Sequence, residues 1–197
     1  AVIHNGIIEN YTELRTQLEA KGHKFSSETD TESVAHLLSD LRKEHNGDLT
    51  AAMRDAVKAL RGSFTLLAIH ADAPDVIVGV RRNSPLVVGL GDGENFMASD
   101  VAAFIEFTKK AIELGQDEVV TMTPTSVEIT DLDGNPVKPK QYEISWDASA
   151  AQKGGFAHFM LKEIFEQPKA VADTLIGRLS DNNQILLDEI HMSADEI

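Results

Sequence analysis

Val2-Ile3-His4-Asn5-Gly6-Ile7-Ile8-Glu9-Asn10 is the stretch that decides how the start of the chain folds. The β-branched pair Val2-Ile3 is typical of the end of a buried strand. Asn5-Gly6 is typical of a tight turn, because both residues tolerate backbone angles that most residues avoid. Asn10 stands where a helix N-cap is expected, and Glu13 follows three residues later as in a capping box. The stretch therefore predicts a strand, a polar turn and a helix.

Two interpretations of the Asn5-Gly6 turn fit these residues. The first is a plain connection between a strand and a helix. The second is an oxyanion hole, because such a turn can direct an amide side chain and a glycine N–H at one small volume. Those donors must be fixed in place before negative charge develops on a substrate oxygen. The spacing alone leaves both interpretations open.

The composition excludes several classes of protein. The chain has 197 residues, 42% of them hydrophobic, so it can form a substantial core. Its formal net charge of −14 argues against nucleic-acid binding, which needs a cationic face. It contains no cysteine, and its seven histidines lack the spacing of metal ligands. We therefore expect no disulfide, no metal and no other cofactor.

The sequence contains neither a membrane span nor a secretory signal. No apolar run reaches 18 residues, and no basic segment followed by an apolar one opens the chain. We therefore expect a cytoplasmic protein that binds no membrane. The chain also starts inside a predicted core strand at Ala1, so we expect it to be part of a larger domain.

The order of predicted elements favours an α+β sandwich over a doubly wound parallel sheet. Three helices come first, and the second shows an apolar stripe at Val34, Leu37, Leu38 and Leu41. Closely spaced short strands follow and favour antiparallel pairing. These strands are predicted at residues 63–70, 76–80, 86–90, 94–98, 118–122 and 126–130.

The last quarter of the chain has a different character. A linker is predicted at 148–155, next to Trp146, and a helix at 156–167 that Pro168 should end. A further helix is predicted at 169–178 and a polar tail at 181–197.

Several segments resemble, in order, the glutaminase domain of the glutamine–fructose-6-phosphate aminotransferase family, whose members are N-terminal-nucleophile glutamine amidotransferases. The resemblance extends from about residue 2 to about residue 180 and is specific because so many segments agree. The matching segments are His4–Asn10, Ser27–Glu32, Arg61–Phe64, Ser84–Gly91, Gly93–Asp100 and His158–Pro168.

The resemblance implies roles for three residues. It assigns the oxyanion hole to the Asn5 side-chain amide and the Gly6 backbone N–H, and it assigns the α-amino group of glutamine to Asp30. Taken by itself, Asp30 lies in a cluster of capping residues, and a carboxylate in such a cluster is most often a helix N-cap. Thr29 or Thr31 could cap the helix instead and leave Asp30 free for an ammonium group. His4 could orient Asn5 through a hydrogen bond, and Arg81 and Arg82 could attract a carboxylate.

The resemblance also implies a four-layer αββα fold, incomplete in this chain. The family's N-terminal cysteine nucleophile has no counterpart here, since position 1 is alanine, and its Arg-Trp segment for the glutamine carboxylate is absent. Residues 1–147 would be the C-terminal part of the glutaminase domain, and 156–197 the start of a sugar-isomerising domain.

The function implied is that of part of an enzyme whose substrates are glutamine and fructose 6-phosphate. Such an enzyme hydrolyses glutamine, uses the ammonia to make glucosamine 6-phosphate and is commonly a homodimer; this chain alone should be inactive. Two alternatives stay open: a non-catalytic binding or interaction module with the same fold, and a different glutamine amidotransferase of the same class. The helix at 156–167 favours the sugar-phosphate enzyme over the second alternative.

Overall fold

A computed structural model of the protein describes residues 1–145 and 154–175. The chain divides into two compact units, Ala1–Ala148 and Ser149–Ile197. The elements of the first unit are, in chain order, β1 (Val2–Ile8), α1 (Tyr11–Ala20), α2 (Asp30–Glu44), α3 (Leu49–Ala59), β2 (Gly62–His70), β3 (Ala73–Arg82), β4 (Val87–Leu90), β5 (Asn95–Ala98), a 3-10 turn (Val101–Ala103), β6 (Lys110–Glu113), β7 (Val119–Met122), β8 (Val127–Thr130) and β9 (Lys140–Glu143). In the second unit the described helix is α4 (Phe159–Leu175).

The strands of the first unit form two antiparallel sheets. The larger sheet has the order β1-β2-β3-β7-β8, and the smaller has the order β5-β4-β6-β9. A mixed α/β fold with antiparallel sheets, as the element order predicts, is confirmed. Strands β6 and β9 are not predicted by the sequence, because they are short and carry several charged residues; they pair with each other.

Two hydrophobic cores lie on opposite faces of the larger sheet. One core joins helices α1, α2 and α3 to side chains such as Leu66, Val78 and Val80. The other joins Val88 and Ile112 of the smaller sheet to side chains of β7 and β8, with Ile77 packed against it. Because neighbouring side chains of a strand point to opposite faces, β3 serves both cores. The described residues of the first unit thus form three layers: helices, larger sheet and smaller sheet.

Helix α2 packs as its sequence predicts. Val34 and Leu38 are buried, and Leu37 and Leu41 pack against the same core. Its apolar stripe therefore sets the rotation of the helix, and with it the direction in which the first turn presents its side chains.

Helix α4 contradicts the prediction that Pro168 ends a helix, since it runs through that residue. A proline inside a helix loses one backbone hydrogen bond and costs roughly 3 kcal/mol, but bonds on both sides of it still form. Trp146, nearly all of the predicted linker at 148–155 and the predicted tail at 181–197 lie outside the described residues. Within the described ranges, no helix is long and apolar enough to cross a bilayer.

Candidate active site

Strand β1 lies at the end of the larger sheet and, among the described strands, pairs with β2 alone. Two bonds flank this ladder: Ile69 N–H donates to the carbonyl of Ala1 at 3.0 Å, and Glu9 N–H to that of Arg61 at 2.9 Å. In an antiparallel pair, alternate residues direct their N–H groups toward the partner. Odd-numbered residues of β1 therefore bond to β2, and the N–H groups of even-numbered residues, among them Gly6, face the free edge.

Asp30, the first residue of α2, lies against this edge. Its Oδ2 accepts a hydrogen bond from the Ile8 N–H at 2.8 Å, as expected for an even-numbered residue. Thr29 occupies the N-cap position, and its side chain makes no capping bond. The Asp30 carboxylate therefore binds strand β1 and not the end of its own helix, so the N-cap interpretation of Asp30 is wrong. Its side chain remains 23% exposed, which leaves it accessible to a ligand.

Asn5 and Gly6 lie inside β1, so the prediction of a turn at these residues is wrong. The turn lies at Glu9 and Asn10, directly after the last residue of β1. Gly6 has a φ of +125°, and a Cβ at this position would stand 2.1 Å from the carbonyl oxygen of Ser63. The glycine is needed because β2 passes too close for any side chain.

The side chains of β1 alternate between its two faces. Ile8 is fully buried and the His4 side chain is only 3% exposed, both on the side of the helices. Ile3, Asn5 and Ile7 are exposed on the opposite face. The predicted hydrogen bond from His4 to Asn5 is therefore wrong, since the two side chains point away from each other.

Asn10 occupies the N-cap position of α1 but does not cap it. Its Nδ2 donates to the carbonyl of Ala59 at 2.9 Å, and its Oδ1 accepts from the Arg61 N–H at 2.9 Å. Glu13 lies 3.9 Å from the Arg61 guanidinium, so the predicted capping box is wrong as well. Asn10 instead joins the end of β1 to the chain that leads from α3 into β2.

Glu32 fixes the segment that leads into α2. Its carboxylate accepts hydrogen bonds from the N–H groups of Ser26 and Ser27, both at 2.7 Å, and from their hydroxyls. The Ser27 hydroxyl is the largest cause that lowers the pKa of Glu32 to about 2, and the Ser26 N–H is the next. The turn before Asp30 is thus held by an ionised carboxylate.

Arg81 and Arg82 are structural and do not offer a carboxylate site. Arg81 donates to the carbonyls of Ser84 and Leu114 at 2.6 and 2.8 Å. Arg82 donates to the carbonyl of Leu60 at 2.7 Å and pairs with Asp117. A guanidinium that is bound in this way has few donors left for a ligand.

The structure places the backbone of Asn5 and Gly6 and the carboxylate of Asp30 along one edge of the larger sheet, whereas the Asn5 side chain lies on the exposed face of β1. The Asp30 carboxylate, which can accept a hydrogen bond from an ammonium group, binds β1 two residues after Gly6. It therefore lies roughly 7 Å from the Gly6 N–H. The contacts of His4 with Thr31 and Asp30 could not be predicted from the sequence, because no local pattern links His4 to residues so far along the chain. In the part of the chain that the structure describes, no group of three or more His, Asp or Glu side chains could hold a metal.

Comparison with known proteins identifies the family to which the chain belongs. Residues 1–106, more than half of the chain, match the glutamine amidotransferase domain family. Three curated relatives are named glutamine–fructose-6-phosphate aminotransferase (isomerizing). The one from Streptomyces coelicolor is 58% identical over 194 residues, covering 98% of this chain and 31% of that protein. That from Corynebacterium efficiens is 56% identical over 193 residues, with coverages of 98% and 31%. That from one strain of Thermus thermophilus is 53% identical over 181 residues, with coverages of 92% and 29%.

The chain thus spans less than a third of the length of these relatives. Among solved structures, it resembles the glutamine phosphoribosylpyrophosphate amidotransferase from B. subtilis complexed with ADP and GMP. The TM-score is 0.57 and the identity 24%, over 69% of this chain and 30% of that one. A structure described as the allosteric regulatory enzyme of purine biosynthesis also has a TM-score of 0.57, with 23% identity over 67% of this chain and 28% of that one. At these identities the likeness shows the fold alone.

Proposed function

Since the chain belongs to the glutamine amidotransferase domain family, we propose that it forms part of the glutamine site of an isomerising glutamine–fructose-6-phosphate aminotransferase. The relatives at more than 50% identity carry that name. The whole enzyme would take glutamine and fructose 6-phosphate as substrates and make glucosamine 6-phosphate. It would act in the cytoplasm as a homodimer, with no nucleic acid or membrane partner.

The observation that carries this proposal is the bond between the Asp30 carboxylate and the Ile8 N–H. It puts a negative charge beside the free edge of β1, near the outward-facing Gly6 N–H. The two groups are separated by roughly 7 Å, the length of two strand residues. A glutamine bound at this edge would have its α-amino group at Asp30 and its carboxamide toward the Asn5-Gly6 pair.

The chemistry of such a ligand follows from the groups at each end. Asp30 would bind the α-ammonium group through a charge-assisted hydrogen bond. The Asn5 side-chain amide and the Gly6 N–H would donate to the carboxamide oxygen as it becomes anionic. The sequence has no cysteine, so the nucleophile would come from another segment of a longer protein.

The finer architecture belongs to the same proposal. The three described layers would be part of a four-layer αββα sandwich, with 1–147 as the C-terminal part of a glutaminase domain. Residues 148–155 would be a linker, and 156–197 the start of a sugar-isomerising domain. The division of the chain into compact units at Ala148 and Ser149 is compatible with that linker.

The test is glutamine hydrolysis by a chimeric enzyme. This chain would replace the matching segment of the Streptomyces coelicolor relative, and release of glutamate would be measured. Asn5→Ala should lower kcat about 100- to 1,000-fold with little change in KM, the size seen on loss of one oxyanion donor. Asp30→Asn should mainly raise KM, because it weakens binding of the α-ammonium group of glutamine.

Two matched controls accompany these variants. Ile3→Ala alters the exposed face that also carries Asn5, and Asp40→Asn removes another partly buried acid of α2. Both should leave kcat and KM within about threefold of the parent chimera, as expected of residues outside the site. An Asn5→Ala enzyme with an unchanged kcat would refute the oxyanion role.

A further inference from the structure

His4 is a buried side chain of β1 that contacts the candidate site from behind. Its Nδ1 lies 3.0 Å from the Thr31 hydroxyl and 3.4 Å from Asp30 Oδ1. Its Nε2 is buried and has no hydrogen-bond partner among the residues described. Among the residues described, the ring therefore makes polar contacts only through Nδ1, with Thr31 and Asp30.

This one-sided contact decides where the ring proton lies. A neutral imidazole carries one N–H and one bare nitrogen. A proton on Nε2 would be buried without an acceptor, whereas a proton on Nδ1 is donated to Thr31 Oγ1. The Thr31 hydroxyl can then donate its own hydrogen to Asp30 Oδ1, at 3.4 Å. That last bond is long, as hydrogen bonds of a site often are before its ligand binds.

The two oxygens of Asp30 are thus held by two different parts of the same strand. The Ile8 N–H binds Oδ2 directly, and His4 reaches Oδ1 through Thr31. An ionised carboxylate has about four acceptor positions, so two stay open on its exposed side. Rotation of the carboxylate would break one of the two bonds, so the open positions keep a fixed direction.

We propose that His4 is a positioning residue that fixes the Asp30 carboxylate, through the Thr31 hydroxyl, for binding of a substrate ammonium group. This inference rests on the proposed function of Asp30. In this role the buried His4 does not contact the substrate; it orients the negative charge of Asp30, which does.

The first test uses the 197-residue chain and no activity. The imidazole nitrogens of His4 are followed by long-range ¹H–¹⁵N correlation spectra near neutral pH. The proposal expects the tautomer protonated on Nδ1, with Nε2 bare. A ring protonated on Nε2 alone would overturn the relay, because Nδ1 could then not donate to Thr31.

The second test uses the chimeric enzyme and two substrates: glutamine and 4-carbamoylbutanoate, which is glutamine without its α-amino group. Thr31→Val keeps the shape of the side chain and removes the hydroxyl. It should lower kcat/KM for glutamine about tenfold, the size of one hydrogen bond to a charged group, and leave that for 4-carbamoylbutanoate unchanged. Thr31→Ser, which keeps the hydroxyl, should behave as the parent, and His4→Leu should repeat the effect of Thr31→Val.

An equal loss for both substrates in Thr31→Val would mean that the hydroxyl only supports the fold, and no loss for either would mean that it does nothing; each overturns the proposal. Asp30→Asn separates this failure from that of the proposed function. If Asp30→Asn abolishes the preference for glutamine while Thr31→Val and His4→Leu retain it, the positioning role alone fails. If Asp30→Asn affects both substrates equally, Asp30 does not bind the amino group and both proposals fail.

Discussion

The side chains on the two sides of strand β1 differ in how deeply they are buried. On the side of the helices, Ile8 is fully buried and His4 contacts α2. On the opposite side, Ile3 and Ile7 are 67% and 66% exposed, and Asn5 is exposed between them. One strand therefore fixes the Asp30 anchor from the side of the helices, exposes the Asn5 amide on the opposite side and directs the Gly6 N–H to its free edge.

This difference shows how an edge strand can serve a binding site without losing its place in the sheet. Its inner side chains and its bonds to β2 fix its position, so its outer groups need no further support from the fold. A site built in this way has low reorganisation on binding, which is what electrostatic stabilisation of a developing charge requires. Substitutions on the two sides of β1 should therefore change the free energy of unfolding by different amounts.

The largest effect is expected at Gly6, where β1 approaches β2 most closely. In Gly6→Ala the new Cβ would stand 2.1 Å from the Ser63 carbonyl oxygen, at a φ of +125°. Backbone strain and overpacking each cost about 1–3 kcal/mol, so the free energy of unfolding should fall by about 4 kcal/mol. Urea unfolding of the 197-residue chain, followed by circular dichroism, measures this loss.

Gly62 and Gly93 provide the controls for Gly6. A Cβ on Gly62 would stand 2.2 Å from the Ile7 carbonyl oxygen at the same φ, so Gly62→Ala should cost as much as Gly6→Ala. Gly93 also has a positive φ, +73°, but its Cβ would meet no atom within 4 Å. Gly93→Ala should cost only about 1–2 kcal/mol. Equal losses at Gly6 and Gly93 would contradict the close approach of the two strands.

The next effect compares Ile8 with Ile7, which are neighbours of the same type on opposite sides of β1. Ile8→Ala removes a fully buried side chain and should lower the free energy of unfolding by about 3 kcal/mol. Ile7→Ala removes an exposed one and should change it by less than about 0.5 kcal/mol. The same urea experiment measures both variants. Similar losses for the two would show that the outer side of β1 is packed in solution.

The sequence predicts those parts of this fold that depend on neighbouring residues. The predicted apolar stripe of α2 is confirmed, since Val34 and Leu38 are buried. The predicted antiparallel pairing of the strands β7 and β8 is confirmed as well. Asp100 caps the 3-10 turn by accepting from the Ala102 N–H, a partner only two residues away. In each case the pattern and its physical cause lie within a few residues of each other.

The parts that the sequence could not predict depend on distant partners. Asn5-Gly6 is typical of a turn, but pairing with a strand almost 60 residues later keeps it extended. Asp30 is typical of an N-cap, but the N–H of Ile8, 22 residues earlier, takes its carboxylate. Local propensity gives way at these positions because the tertiary hydrogen bond satisfies a group that would otherwise stay unpaired at a partly buried edge.

The smallest effect is a pH dependence on the α2 side, at Glu32. Its hydrogen bonds to Ser26 and Ser27 lower its pKa from 4.5 to about 2, so below about pH 4.5 the unfolded chain binds a proton that the folded chain does not. The stability that Glu32 contributes is complete above about pH 4.5 and is lost as the pH falls toward about 2. Glu32→Gln should therefore be less stable than the parent at about pH 6, by an amount that shrinks as the pH falls toward 3.

The matched control for this pH dependence is Glu28→Gln, an exposed acid four residues before Glu32. It removes the same charge from the same segment without touching the bonds to Ser26 and Ser27, so its stability curve should run parallel to that of the parent. Urea midpoints between about pH 3 and pH 6 compare the three proteins. The decisive difference is the one below about pH 4.5, where the Glu32 carboxyl of the unfolded chain takes up its proton. If the curve of Glu32→Gln also ran parallel to that of the parent, the segment before Asp30 would not depend on an ionised Glu32, and the α2 side of the site would be less fixed than these hydrogen bonds indicate.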